Sequence, residues 1–185
     1  TKNGAAMLEK ERSILIVTDI QGKLASLMHE REMLYKNAVI MIEGMKALDI
    51  PILWIEQYPR GLGPTVQEVA SHLDGYTPMA KKTFSSLKDS AIKERLSGYN
   101  RDQALLVGIE THVCIYQSAL DLIELGIETH VVEDSVSSRT ERNKRIGIDK
   151  IKRAGGYITS VETALFELLV IAEGEAFKKI IRLVR

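Results

Sequence analysis

The chain has 185 residues, 25 Lys plus Arg against 25 Asp plus Glu, and 45% hydrophobic residues. That length suits one domain with a sizeable core, and the zero formal net charge supplies no field to draw the chain to nucleic acid or to an acidic membrane. No apolar run reaches the roughly 18 residues of a membrane span, and a lone cysteine, Cys114, cannot close an internal disulfide and fits a reducing, cytoplasmic compartment.

Residues 1–12, "TKNGAAMLEKER", lack the apolar stretch of a signal peptide and read as a flexible lead-in. Residues 13–185 then form a single domain. "SILIVTD" (13–19) is a β-branched apolar run that reads as a buried strand ending on an acid. Residues 30–48 repeat apolar positions at three- and four-residue steps, which predicts a helix, with its methionines as core filler. "PILWIEQ" (51–57) is a second strand, and "YPRGLGP" (58–64) a loop. A short helix follows from Thr65. Residues 74–86 are irregular with at most a short strand, and 87–96 are helical.

"QALLVGI" (103–109) is a third clear strand. The pattern over 112–126 predicts a helix stopped by Gly126. "IETHVVED" (127–134) is a strand, 137–155 a helix, and "YIT" (157–159) a last short strand. Arg139, Arg142, Lys144 and Arg145 are interleaved with Glu141 and Asp149, so they read as a solvated helix face. Ser160 is placed to cap the helix "VETALFELL", and 174–184 form a terminal helix. Strands alternate with helices and are apolar on both faces. The fold class is therefore α/β, a three-layer, doubly wound, mainly parallel sheet with right-handed crossovers.

Ligands of such sheets bind beyond the carboxyl ends of the strands, where the winding reverses. With the common strand order 3-2-1-4-5, Asp19 and Cys114 meet across that crevice. Two readings of Cys114 stay open. It is a small hydrophobe filling core, or it is a nucleophile. For the second, a helix N-terminus and a nearby cation would favour the thiolate, the N–H groups of the first turn could hold an oxyanion, and Asp19 could take the thiol proton. His29, His72, His112 and His130 show no zinc-ligand spacing, so no metal is expected. "TDIQGKL" stands where a dinucleotide-binding glycine motif would follow the first strand, so no cofactor is expected.

Three segments carry a resemblance: "VTDIQGKL" with Asp19 and Gln21, "PMAKKTFSSL" with its lysines, and "GIETHVC" with Cys114. In order and spacing the chain resembles the isochorismatase-like family of cysteine hydrolases from about Ser13 to Leu169. "IEQYPRGLG", "GIETHVC" and "DSVSSR" are similar to its isochorismatase-domain-containing subgroup. The resemblance implies a Rossmann-like fold and an Asp–Lys–Cys triad, which maps to Asp19, Lys81 and Cys114. Of the adjacent lysines, Lys81 fits the register and Lys82 does not. It also implies a cis peptide at Ile109–Glu110, aiming the Glu110 N–H at the same point as the Cys114 N–H to form an oxyanion hole.

The expected activity is hydrolysis of a small amide-like substrate through a thioester, by a homo-oligomer with no nucleic-acid or membrane partner. Gln21 is expected to hold the turn after Asp19, and Gln57, Tyr58, Phe84, His112 and Ile115 are candidates for the pocket wall. "EQYPRGLG" lacks the Asp and His ligands of metal-dependent nicotinamidases, and the family name does not itself imply isochorismate as substrate. A non-catalytic interaction or scaffold role on the same fold is the alternative.

Overall fold

In the computed structural model, which describes residues 6–185, the chain builds one six-stranded sheet. The strands are β1 (Ser13–Thr18), β2 (Ile52–Gln57), β3 (Met79–Lys81), β4 (Gln103–Ile109), β5 (Glu128–Ser137) and β6 (Tyr157–Thr159). Their order across the sheet is β3-β2-β1-β4-β5-β6, and every neighbouring pair is parallel. The winding reverses between β1 and β4, where both strands are wholly buried.

Successive side chains of a strand point to opposite faces, and both faces of this sheet are covered. Leu15 and Val17 of β1 join a cluster that includes Met41 and Met45 of α2 (Arg31–Ala47) and Leu165 of α8 (Val161–Leu169). Ile14 and Ile16 join the opposite cluster. It includes Ile92 of α5 (Ser90–Gly98), Leu122 of α6 (Tyr116–Glu124) and Ile151 of α7 (Glu141–Arg153). Ile180 of the terminal helix α9 (Gly174–Leu183) is buried with the first cluster. Side chains cap three helices as the sequence chemistry allows: Asp89 for α5, Thr140 for α7 and Ser160 for α8.

Several local expectations change. The expected flexible lead-in is tied down from Leu8 on, while residues 1–5 of it lie outside the described chain. Leu8 is buried, its N–H donates to Glu167 Oε2 at 2.9 Å, and the Glu9 N–H donates to Gln103 Oε1 at 2.8 Å. One-turn helices appear where none was read: α1 (Gly22–Ser26), and α3 (Pro59–Leu62) within the expected loop, while the short helix expected from Thr65 is α4 (Gln67–Ala70). Proline at the start of α3 has no N–H to leave unpaired there. β5 runs past Asp134 to Ser137 because it bulges. Leu106 pairs with Val131, but Gly108 already pairs with Val136. The bulge finds partners outside the sheet: Asp134 O accepts from Asn37 Nδ2 at 2.6 Å and Asp134 Oδ1 from the Val161 N–H at 2.9 Å. Among the described residues no helix is long and apolar enough to cross a membrane.

Gly108 marks the tightest contact between the central strands. Its φ is +123°, and a Cβ there would lie 1.9 Å from Thr18 O. Gly108→Ala is expected to destabilise the fold by about 3 kcal/mol or more. Gly98→Ala, where a Cβ meets nothing within 4 Å, is expected to be neutral or stabilising by up to about 1 kcal/mol. Urea denaturation of both variants checks the contrast.

Candidate active site

Three side chains converge at the carboxyl end of the sheet. β1 ends at Thr18, and Asp19 turns the chain with φ +57°, its N–H held by Ile55 O at 3.1 Å. Asp is among the residues that tolerate this left-handed conformation. Lys81 is the last residue of the edge strand β3, and its carbonyl accepts the Tyr58 N–H at 2.8 Å. Cys114 lies in a wide turn, Thr111–Ile115, between β4 and α6. The regular helix expected from His112 begins only at Tyr116. Before it, the Ile115 N–H reaches back five residues to Glu110 O at 3.2 Å, which inserts a residue into the turn. The Ile109–Glu110 peptide is cis.

The Lys81 ammonium is the hub. Nζ lies 3.0 Å from Asp19 Oδ2, 3.7 Å from Cys114 Sγ, 3.0 Å from Thr83 O and 3.1 Å from Phe84 O, and it also donates to Gln57 Oε1. The Lys81 and Asp19 side chains are 0% and 4% exposed. Lys82, its neighbour, is exposed. Burial raises the Asp19 carboxyl above its ordinary range, against the pull of Lys81. Burial, together with the negative charge of Asp19, pushes the Cys114 thiol up to about 12, with Lys81 opposing. The expectation that cation and helix start would favour a thiolate is thereby corrected: desolvation outweighs both, and the resting thiol keeps its proton. Asp19 Oδ1 has no hydrogen-bond donor among the described residues, and besides Lys81 the Cys114 thiol, which favours the charged carboxylate, and the negative charge of Glu56, which opposes it, act on this carboxyl.

The remaining expected residues divide. Gln21 Nε2 donates to Gln57 O at 3.0 Å and Gly63 O at 2.7 Å, and its Oε1 accepts the Gln57 N–H at 2.6 Å. It ties the end of β1 to the end of β2 and the loop beyond. Gln57 bridges the Lys81 ammonium and, through Nε2, Lys82 O at 3.0 Å, so it belongs to the ammonium's shell as well as to the rim. Tyr58 and Phe84 are exposed. His112 is half-buried, with Nδ1 2.8 Å from Ser138 Oγ. Ile115 is fully buried with Ile14 and Ile16. It is core and not pocket wall, because the residue inserted in the turn rotates it toward the sheet. The Glu110 carboxylate accepts from the Arg139 N–H and Nε, both at 3.1 Å.

Sequence reasoning missed the anchors of the lysine segment. Ser85 Oγ donates to Asp121 Oδ2 at 2.5 Å, and the Ser86 N–H donates to Ser118 Oγ at 2.9 Å. Thr83 and Phe84, whose carbonyls receive the ammonium, are thus clamped to the helix that follows Cys114. The spacing 118, 121 was the available signal, since residues three apart share one helical face. Glu56, which the rule on strand ends places beside Gln57, is buried and accepts from the Thr65 N–H at 2.6 Å and Thr65 Oγ1 at 2.8 Å. Among the described residues no three His, Cys, Asp or Glu side chains gather as a metal set.

The family model for the isochorismatase domain matches residues 13–163. A secreted isochorismatase effector of Phytophthora sojae is 35% identical over 179 residues, covering 94% of this chain and 84% of that protein. Isochorismatase domain-containing protein 2 of Danio rerio is 33% identical over 180 residues, covering 97% and 90%. Among solved structures, MAR1 ribonuclease from Caenorhabditis elegans superposes with a TM-score of 0.90 at 32% identity, covering 97% of this chain and 92% of that one. The YcaC product of Escherichia coli, described as an octameric hydrolase of unknown specificity, gives a TM-score of 0.92 at 20% identity, covering 98% and 91%.

Removing one partner of a buried ion pair strands the other charge. Lys81→Met is therefore expected to cost about 3–5 kcal/mol at pH 7. The Asp19 carboxyl, raised further without Lys81, takes up a proton in the fold as pH falls, so the deficit shrinks from pH 7 to pH 5. The double variant Asp19→Asn/Lys81→Met should recover most of the loss. Urea denaturation at the two pH values measures both effects.

Proposed function

The chain belongs to the isochorismatase family and shares its fold, and from that premise we propose that it is a cysteine hydrolase of small amide-like substrates with Asp19, Lys81 and Cys114 as its triad. One observation carries the reading: a single buried ammonium lies 3.0 Å from a carboxylate and 3.7 Å from the chain's lone thiol.

The chemistry runs in two halves. Cys114 Sγ attacks the substrate carbonyl carbon while its proton passes to Asp19. The carbonyl oxygen becomes an oxyanion, received by the N–H groups of Glu110 and Cys114. Asp19 then gives the proton to the departing nitrogen, the C–N bond breaks, and a thioester remains. In the second half Asp19 takes a proton from water, the hydroxide adds to the thioester, and the thiolate leaves and regains its proton. Lys81 holds Asp19 in place and stabilises the sulfur as it gains negative charge. Each transferred proton has a residue to occupy, so the scheme calls on no cofactor or metal.

The balanced charge of 25 cations and 25 anions does not supply the field an RNA substrate calls for. A small amide is therefore preferred to the nucleic acid implied by the nematode relative's name. We place the protein in a reducing, cytoplasmic setting because its one cysteine has no internal partner, and as a homo-oligomer by family resemblance.

A screen of small amides and carbamoyl compounds, with Cys114→Ala as blank, tests the reading. Cys114→Ser should abolish turnover, and Asp19→Asn should lower it by ~10²–10⁴-fold. Lys81→Ala should impair turnover, while Lys82→Ala should leave reaction with neutral amides and neutral alkylating reagents unchanged. Alkylation of the resting thiol by iodoacetamide should climb about tenfold per pH unit from neutrality upward without a plateau, because the thiol stays protonated. A thiol inert in the folded protein, with no amide turned over, would favour the scaffold role.

A further inference from the structure

The Lys81 ammonium and the Cys114 thiol come from separate parts of the chain, and one carboxylate outside the triad closes the path between them. On one side Nζ donates to Thr83 O at 3.0 Å and Phe84 O at 3.1 Å. On the other it lies 3.7 Å from Cys114 Sγ. The two carbonyls belong to the loop 82–85, and at its end Ser85 Oγ donates to Asp121 Oδ2 at 2.5 Å. Asp121 stands on α6, which starts at Tyr116 just beyond Cys114. The circuit runs from ammonium to loop carbonyls, Ser85, Asp121, α6 and thiol, and back to the ammonium.

The loop is stiff up to that contact. Thr83 Oγ1 donates to Ser85 O at 2.7 Å, and Ser85 Oγ accepts the Leu87 N–H at 3.2 Å. A second tie, from the Ser86 N–H to Ser118 Oγ at 2.9 Å, runs to the same helix. Ser85 is buried, and the Asp121 side chain is only 17% exposed. A short hydroxyl–carboxylate bond is of the stronger, charge-assisted kind. Lys88 Nζ approaches the other oxygen, Asp121 Oδ1, at 3.3 Å, but its side chain is 66% exposed, and such a pair holds little in water.

On the basis of the hydrolase reading, we propose that Asp121 is a positioning residue: through Ser85 it fixes the loop carbonyls and so sets the gap between the Lys81 ammonium and the Cys114 sulfur. Lys81 favours the thiolate, against burial and the charge of Asp19. At 3.7 Å nitrogen and sulfur are close to contact, so freeing the loop widens the gap on average, and the attraction falls with distance. The sign of the effect separates this role from two others. A nearby anion disfavours a thiolate, so an Asp121 acting by charge alone would, when removed, speed the thiol. An Asp121 that serves stability alone would, when removed, open the fold more often and again speed the thiol. Loss of positioning slows it.

Intact-mass spectrometry reads the test, because alkylation of a chain with one cysteine reports Cys114. Iodoacetamide labelling is followed from pH 7 to pH 9. Asp121→Leu and Ser85→Ala are each expected to label about three- to tenfold more slowly at every pH, the effect of a thiol pKa raised by about one unit. The double variant should be no slower than either, since both changes cut one link. Asp121→Asn still accepts from Ser85 and should stay close to the parent rate, as should Lys88→Gln, which breaks only the exposed pair. Circular dichroism checks that each variant is folded, and Ser85→Ala carries the comparison if Asp121→Leu is not. Unchanged or faster labelling of the folded Asp121→Leu and Ser85→Ala variants, or equal slowing in Asp121→Asn, would overturn the positioning role and leave the hydrolase reading intact. A thiol inert in the folded parent and in every folded variant, yet labelled readily in urea, would overturn both.

Discussion

The buried ion pair between Lys81 and Asp19 is the constraint around which this end of the molecule is arranged. An ammonium taken out of water needs an opposite charge and acceptors for all of its protons. Here the acceptors come from four separate places: the end of β1, the end of β2, the turn after β3, and the thiol after β4. No residue with a shorter side chain could reach from the edge strand across β2 to β1. The three-residue β3, Gln57, the clamp through Ser85 and Asp121, and the tie made by Gln21 all serve to keep that one nitrogen satisfied.

A protonated thiol beside a carboxylate is a stable resting arrangement. Two adjacent anions in a nearly dry site would repel each other, so the site holds one anion, one cation and one neutral acid. In the proposed reaction the proton moves only when a carbonyl arrives to receive the sulfur's electrons. A thiol that keeps its proton is also a poor target for oxidants, since the thiolate is the reactive form. The depth of burial that slows the empty site is the same depth that strengthens every electrostatic contact once water is displaced.

The sequence spoke clearly where a pattern is local. β1 and β4 are apolar on both faces and bounded by polar residues, so their limits and their place in the middle of a parallel sheet could be read directly. Asp19 and Cys114 followed from the rule on strand ends, and Lys81 needed the family resemblance, because nothing local separates it from Lys82. The turn at Thr111–Ile115 was not legible. One inserted residue shifts the facing of all that follows, which is why Ile115 falls in the core. The bulge in β5 depends on partners as distant as Asn37 and Val161. The sign of the Cys114 shift was hidden for a similar reason: charge and helix position are written in the sequence, but the depth at which they act is set by the whole fold.

Both margins of the sheet are only three residues long, at β3 and β6. A longer bare strand would offer a row of backbone donors and acceptors for another chain to extend. These short margins give an incoming strand little to zip onto, and at β3 the adjoining carbonyls of Thr83 and Phe84 are already taken by the ammonium. Copies of this protein that meet would therefore find little strand to extend at either margin.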